Sequence, residues 1–249
     1  MSGQDASGSG PTDGISGLVR AQVESLVGEY RLQVENWKSS ENSHLLQNLL
    51  EQELDGLSNL QIDRCICFGL GRLTPSEPRW PGDTMENRII QSRVVMEQLV
   101  LLMMVLESLR KVHPIHEVYF QDPLFTQVDT LFLESLGCTV LQDPEAMEIL
   151  TGTTFVFAPY HPNVVVADIF KICEPALYLG ANLTTVRGGE IDTLGGDVME
   201  ENTLSESARE RRLEKFGAVS TYEDNALMTA MPIFDGYYWS RGLCLYWQG

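Results

Sequence analysis

The run Arg64-Cys-Ile-Cys-Phe68 is apolar, has the length of a strand, and ends in Gly69-Leu70-Gly71, with a long helical pattern beyond it. A strand without a polar face has to be covered on both sides, which points to the interior of a parallel sheet sandwiched between helices. In such sheets the turn at the carboxyl end of the first strand is where a ligand loop sits.

The rest of the chain alternates accordingly. Ile62–Phe68 is the first strand, and Leu73–Asp83, with Pro75, Pro78 and Pro81, is a loop. Thr84 can cap a long helix whose buried face includes Ile89, Val95, Leu99, Leu102, Met103 and Leu106. Val118–Phe120 forms the second strand, closed by Gln121-Asp122-Pro123, and Phe125–Leu136 a helix stopped by Gly137. Strands at Cys138–Leu141, Thr153–Phe157 and Ala176–Leu179 are separated by helices at Pro144–Leu150 and Asn163–Cys173. This spacing predicts an α/β fold: a Rossmann-like, mostly parallel sheet with helices on both faces.

Three flanking regions differ in character. Residues 1–14 are Gly-, Ser- and Asp-rich and read as a disordered tail. Residues 15–60 carry two amphipathic stripes, Val23 to Trp37 and Leu46 to Leu57, and form an N-terminal helical segment, the second helix capped by Ser39 or Ser40. Residues 61–182 are the Rossmann-like domain. Beyond Asn182 the regularity fails: 183–249 is an irregular C-terminal extension with an acidic Gly-rich loop at Gly188–Asn202 and a charged helix at Ser205–Phe216. Its aromatic tail supplies a last strand at Leu243–Trp247.

Charge and cysteine usage narrow the partners. The formal net charge is −18, which opposes phosphate neutralisation and excludes a nucleic-acid-binding surface. It also opposes anionic membranes. The most apolar run, Val94–Leu106, is interrupted by Glu97 and Gln98 and is shorter than the ~18 residues of a span. No signal-peptide pattern opens the chain, and five cysteines without framework spacing fit reduced thiols. The expectation is a cytoplasmic or nuclear protein that touches neither membrane nor nucleic acid.

Four residues stand where chemistry would sit. Gly69 and Gly71 let backbone approach a phosphate or nucleoside; the alternative is a tight turn packed under the next helix. The third glycine of the full dinucleotide fingerprint is missing, Thr74 standing there. Asp122 ends the second strand, where nucleotide and S-adenosylmethionine sites place an acid on ribose hydroxyls. Its separation from the glycines is more than double the ~20 residues of the usual spacing. The alternative is a carboxylate that caps the following helix. His161 follows the fourth strand at the same rim, a solvent-facing imidazole suited to base catalysis, to binding a metal or to ordering its own loop. Cys65 and Cys67 share one strand face and lack the turn of a metal knuckle, so they read as core. His113-Pro-Ile-His116 reads as a helix stop.

Several motifs in this order resemble those of the sensitivity-to-red-light-reduced (SRR-like) domain family. They are Phe68-Gly-Leu-Gly-Arg72, Ser92-Arg93 with Gln98-Leu-Val-Leu-Leu102, Gln121-Asp-Pro-Leu-Phe125, Leu133-Glu-Ser-Leu-Gly137, Phe155-Val-Phe-Ala-Pro159 and Leu179-Gly180. The stretch runs from about Ile62 to Asn182. The family usually has Pro-His-Cys after the fourth strand and Gly-Asn after the fifth, where this chain has Pro159-Tyr160-His161 and Gly180-Ala181-Asn182. Through these motifs Pro159 and Gly180 join the candidate ligand-binding residues. The resemblance implies a regulatory protein with protein partners and without ordinary catalysis, in light signalling and circadian rhythm, the cytoskeleton or haem biosynthesis. The competing expectation is a nucleotide- or S-adenosylmethionine-dependent, methyltransferase-like enzyme with its site at the carboxyl edge of the sheet. Haem is a third ligand that the family association suggests.

Overall fold

The computed structural model describes residues 16–75, 84–159, 161–188 and 206–248. The N-terminal tail, the Pro78 and Pro81 part of the proline loop, and most of the acidic Gly-rich loop lie outside them. Two helices, α1 (Gly17–Lys38) and α2 (Glu41–Ser58), precede β1 (Arg64–Phe68), α3 (Met85–Leu109), β2 (Glu117–Gln121) and α4 (Gln127–Ser135). Then come β3 (Thr139–Val140), α5 (Glu145–Glu148), β4 (Thr154–Ala158), α6 (Asn163–Ile172), β5 (Leu177–Ala181) and α7 (Leu183–Gly188). The chain closes with α8 (Glu206–Asn225), β6 (Ala226–Ala230), a 3₁₀ turn at Tyr238–Ser240 and β7 (Leu243–Gln248).

The fold is α/β as expected. One seven-stranded sheet has the order β3-β2-β1-β4-β5-β7-β6. The first five strands are parallel and β7 runs antiparallel between β5 and β6. Successive side chains of a strand point to opposite faces, and β1 splits accordingly. Cys65 and Cys67 join a core packed against α1–α4, whereas Ile66 and Phe68 join a second core under α6 and α8. Burial raises both thiols well above the ordinary cysteine range, so they are inert packing groups.

Local chemistry explains the helix ends. Thr84 Oγ1 accepts from Asn87 N–H at 3.2 Å and caps α3. Gly137 (φ 80°) closes α4 in a Schellman arrangement, Cys138 N–H donating to Leu133 O and Gly137 N–H to Glu134 O. Ser40 stands at the N-cap of α2 without a side-chain cap bond. Ile89 departs from expectation: it is 53% exposed, because the buried residues of α3 begin at Met96, where the helix meets the sheet. By length and composition α3 qualifies as a membrane span, contrary to the reading of its sequence, and half of that apolar window is buried in the protein. Packing in the core accounts for the apolarity of its buried half.

The described residues beyond Asn182 are more regular than their sequence suggests. Phe216, Val219 and Tyr222 put three buried side chains on one face of α8, extending that helix well past Phe216. The Tyr222 hydroxyl reaches Pro175 O and Tyr246 O, and Tyr246 Oη accepts from Leu183 N–H at 3.0 Å. Asn42 and Asp235 exchange two bonds of 2.9 Å, and Trp37 meets Phe234 edge to face, so the N-terminal helices and the C-terminal segment hold each other. Of the tail aromatics, Tyr238 remains in solvent.

Candidate functional site

The strand order turns back between β1 and β4, and ligands of open α/β sheets bind in the crevice outside the carboxyl ends at such a switch point. A cavity of about 550 Å³ lies there, within the range of small-molecule sites. Gly69, Gly71, Asp122 and His161 all line it, although the sequence separates them widely. The two glycines follow β1, Asp122 follows β2, and His161 follows β4. Pro159 and Gly180 do not line it. Gly180 lies in β5, where a side chain would overlap the Tyr178 hydroxyl and the Ala158 carbonyl, so its role is close packing. Asn182 accepts from Thr184 N–H at the start of α7, away from the cavity.

The glycine turn is built by necessity. Gly69 (φ 64°) and Gly71 (φ 91°) both occupy left-handed backbone that side chains rarely adopt. A Cβ on Gly69 would come within 2.7 Å of the His161 ring, and one on Gly71 within 2.9 Å of Val95. The turn therefore tucks under α3, as the tight-turn alternative holds, and still faces the cavity.

Asp122 differs from the helix-cap expectation. Its Oδ2 accepts from Gly71 N–H at 2.7 Å and its Oδ1 from Leu124 N–H at 2.8 Å. The cap of α4 is Thr126, in a reciprocal capping box with Asp129. Asp122 fails as a cap because α4 begins only at Gln127, beyond the reach of its short side chain. Instead it ties the turn after β1 to the end of β2, with carboxylate lone pairs left for a hydroxyl.

Asp129 is a second fastening and has no prior place among the candidates. It is 0% exposed, and no cation pairs with it among the described residues. Backbone N–H groups of Leu73, Thr74 and Thr126 surround it, together with the hydroxyls of Thr74 and Thr126. Charge-assisted bonds of this number satisfy a buried carboxylate without a counter-ion. The signal Thr126-x-x-Asp129 was available as a capping-box pattern; its long reach to residues 73–74 was not.

His161 is not solvent-facing. Its ring packs on Gly69 and edge-on to Phe68, with centroids 6.3 Å apart, and Nδ1 is buried without a hydrogen-bond partner. The ring turns inward because Gly69 leaves the space that a side chain would fill. Burial lowers its pKa below the ordinary histidine value, only partly opposed by the Asp122 charge, so the imidazole is neutral at pH 7.

The remaining wall is mostly carbon: Leu70, Ile90, Val94 and Leu124, with Trp239 from the C-terminal segment. Trp239 Nε1 donates to Glu97 Oε2 at 2.9 Å, while Arg93 Nε holds Oε1 of the same buried carboxylate at 3.0 Å. The last segment of the chain thereby completes a site begun by the first strand.

A family model described as SRR1 domain matches residues 43–232, well over half of the chain. The matched stretch holds the turn, Asp122, Asp129 and His161, and stops short of Trp239. No curated protein matches the chain.

Proposed function

The chain belongs to the SRR1 domain family, and on that premise we propose that it is a regulatory protein controlled by a nucleoside-bearing small molecule held in the switch-point cavity. The observation that carries this is the meeting of Gly71, Asp122 and His161 around one apolar space at the carboxyl ends of β1, β2 and β4. Asp122 stands where a ribose-binding acid stands in Rossmann-type sheets, and carbon walls suit a purine ring. The third glycine of the dinucleotide fingerprint is absent, Thr74 standing in its place. This favours a mononucleotide or S-adenosylmethionine over a dinucleotide. Thiolate ligation of a haem is disfavoured, because burial keeps the Cys65, Cys67 and Cys138 thiols protonated. The regulatory role, with protein partners in cytoplasm or nucleus, is supported by family membership and by the acidic surface.

A second reading, methyl transfer from S-adenosylmethionine, is favoured by the neutral His161 with its unpartnered Nδ1, which can accept a proton from an incoming nucleophile. Thermal melting with S-adenosylmethionine, adenine nucleotides, NAD and haemin tests both. A ligand at a hundred times its Kd stabilises by about 2.7 kcal/mol, or roughly 5–10 °C for a domain of this size. The shift should vanish in Asp122→Ala. No shift with any nucleoside at millimolar concentration overturns the proposal. Release of S-adenosylhomocysteine on incubation with cell extract would select the enzyme reading.

A further inference from the structure

Beside the main cavity lies a smaller one of about 160 Å³. It shares Gly71, Gln91, Val95 and Leu124 with its neighbour and adds Arg72, Arg88, Thr74 and Ser92. The chemistry changes across this boundary. The larger space is mostly carbon, with the Asp122 carboxylate, the His161 ring and the amides of Gln91 and Gln98, whereas the smaller adds two guanidinium side chains.

Arg72 is the unusual member. It is half-buried, and its Nε is shut away from solvent without a hydrogen-bond partner. No acidic side chain pairs with it among the described residues, in a chain that has 35 acids against 17 bases. A desolvated donor left unmatched is unfavourable, and an acceptor on a ligand would satisfy it. Its neighbours have other bonds: Arg88 Nε donates to Thr84 O, Ser92 Oγ to Arg88 O, and Thr74 Oγ1 to Asp129. The backbone at Arg72 is fixed from both sides, Gly71 N–H by Asp122 and Leu73 N–H by Asp129. The guanidinium thus enters the small cavity from a rigid turn, the preorganisation that recognition of a planar anion needs.

We infer that the smaller cavity is an anion subsite, in which Arg72 takes a carboxylate or phosphate carried by the ligand whose nucleoside fills the larger cavity. The identity of that ligand rests on the function proposed above; the subsite itself can be tested apart from it. The two anionic sources are the amino-acid carboxylate of an S-adenosyl compound and the phosphate of a mononucleotide.

Calorimetry on the full chain with two matched pairs separates them: 5′-methylthioadenosine against S-adenosylhomocysteine, and adenosine against AMP. The member of a pair that carries the right anion should bind about tenfold to a hundredfold more tightly than its neutral partner. Arg72→Gln should erase that advantage while leaving the neutral member's affinity unchanged, and Arg72→Lys should retain part of it. In parallel, inorganic phosphate at constant ionic strength should raise the melting midpoint of the native chain and not that of Arg72→Gln. If neutral nucleosides bind and the anions add nothing, the subsite is wrong and the nucleoside cavity stands. If no nucleoside binds, the proposed function fails, and phosphate protection that depends on Arg72 would still support the subsite. Absence of both effects overturns the inference.

Discussion

Replacing Asp129 by asparagine perturbs the fastening that holds the glycine turn while changing almost no volume. The native carboxylate accepts on both oxygens. Oδ2 takes Thr126 N–H and Oγ1 at 2.7 Å each, and Oδ1 takes Leu73 and Thr74 N–H at 3.2 Å each. An amide has one acceptor oxygen, so its NH₂ must face one of these sets of donors. If the oxygen stays on residues 73–74, the Thr126 half of the capping box is lost, at about 1 kcal/mol. The Thr126 N–H is then left buried without a partner, at about 1–3 kcal/mol more. The expected destabilisation is about 2–4 kcal/mol, read as a lower urea midpoint at unchanged m-value, with melting lowered by roughly 5–15 °C. Amide exchange at Leu73 and Thr74 should also quicken if the amide turns the other way. Thr126→Ala, which removes only the cap hydroxyl, should cost about 1 kcal/mol, and a double-mutant cycle between the two positions should show coupling. An Asp129→Asn chain within about 0.5 kcal/mol of the native one, with unaltered exchange at residues 73–74, would refute the idea that this carboxylate organises the turn.

Gly69→Ala should destabilise by about 1–2 kcal/mol from left-handed backbone alone. It should also displace the His161 ring, visible as a shift of the histidine resonances and as weaker ligand binding; an unmoved ring would contradict the contact. Burial lowers the pKa of both His113 and His161. The unfolded chain therefore takes up protons first, and stability is full above pH 6.5 and falls as pH drops through the lower folded values. The urea midpoint should hold between pH 8 and 7 and decline below about 6.5, more shallowly in a His113→Gln/His161→Gln double variant; equal slopes would dismiss these histidines as the cause. Asp63, lowered by its Arg64 and Thr153 hydrogen bonds against a desolvation that acts the other way, loses its contribution only at more acid pH.

Backbone periodicity was legible from the residues alone. The five parallel strands, their crossover helices, Thr84 at the start of α3 and Gly137 at the end of α4 follow from apolar runs, capping chemistry and positive φ, which act over a few neighbouring positions. Gly69, Gly71, Asp122 and His161 could be named for the same reason, since a strand end and its turn are local signals. Even the inert cysteines of β1 were readable from their alternation.

Contacts between distant segments were decided only in three dimensions. Nothing in the order of residues says that Asp122 spends its oxygens on Gly71 rather than on a helix cap, or that the His161 ring turns inward over Gly69. Nor does it place Trp239 on Glu97 as a wall of the same cavity, or wedge β7 between β5 and β6. Each depends on which surfaces a folded sheet brings within hydrogen-bond or van der Waals reach. Local sequence has no means of expressing that distance; packing sets it.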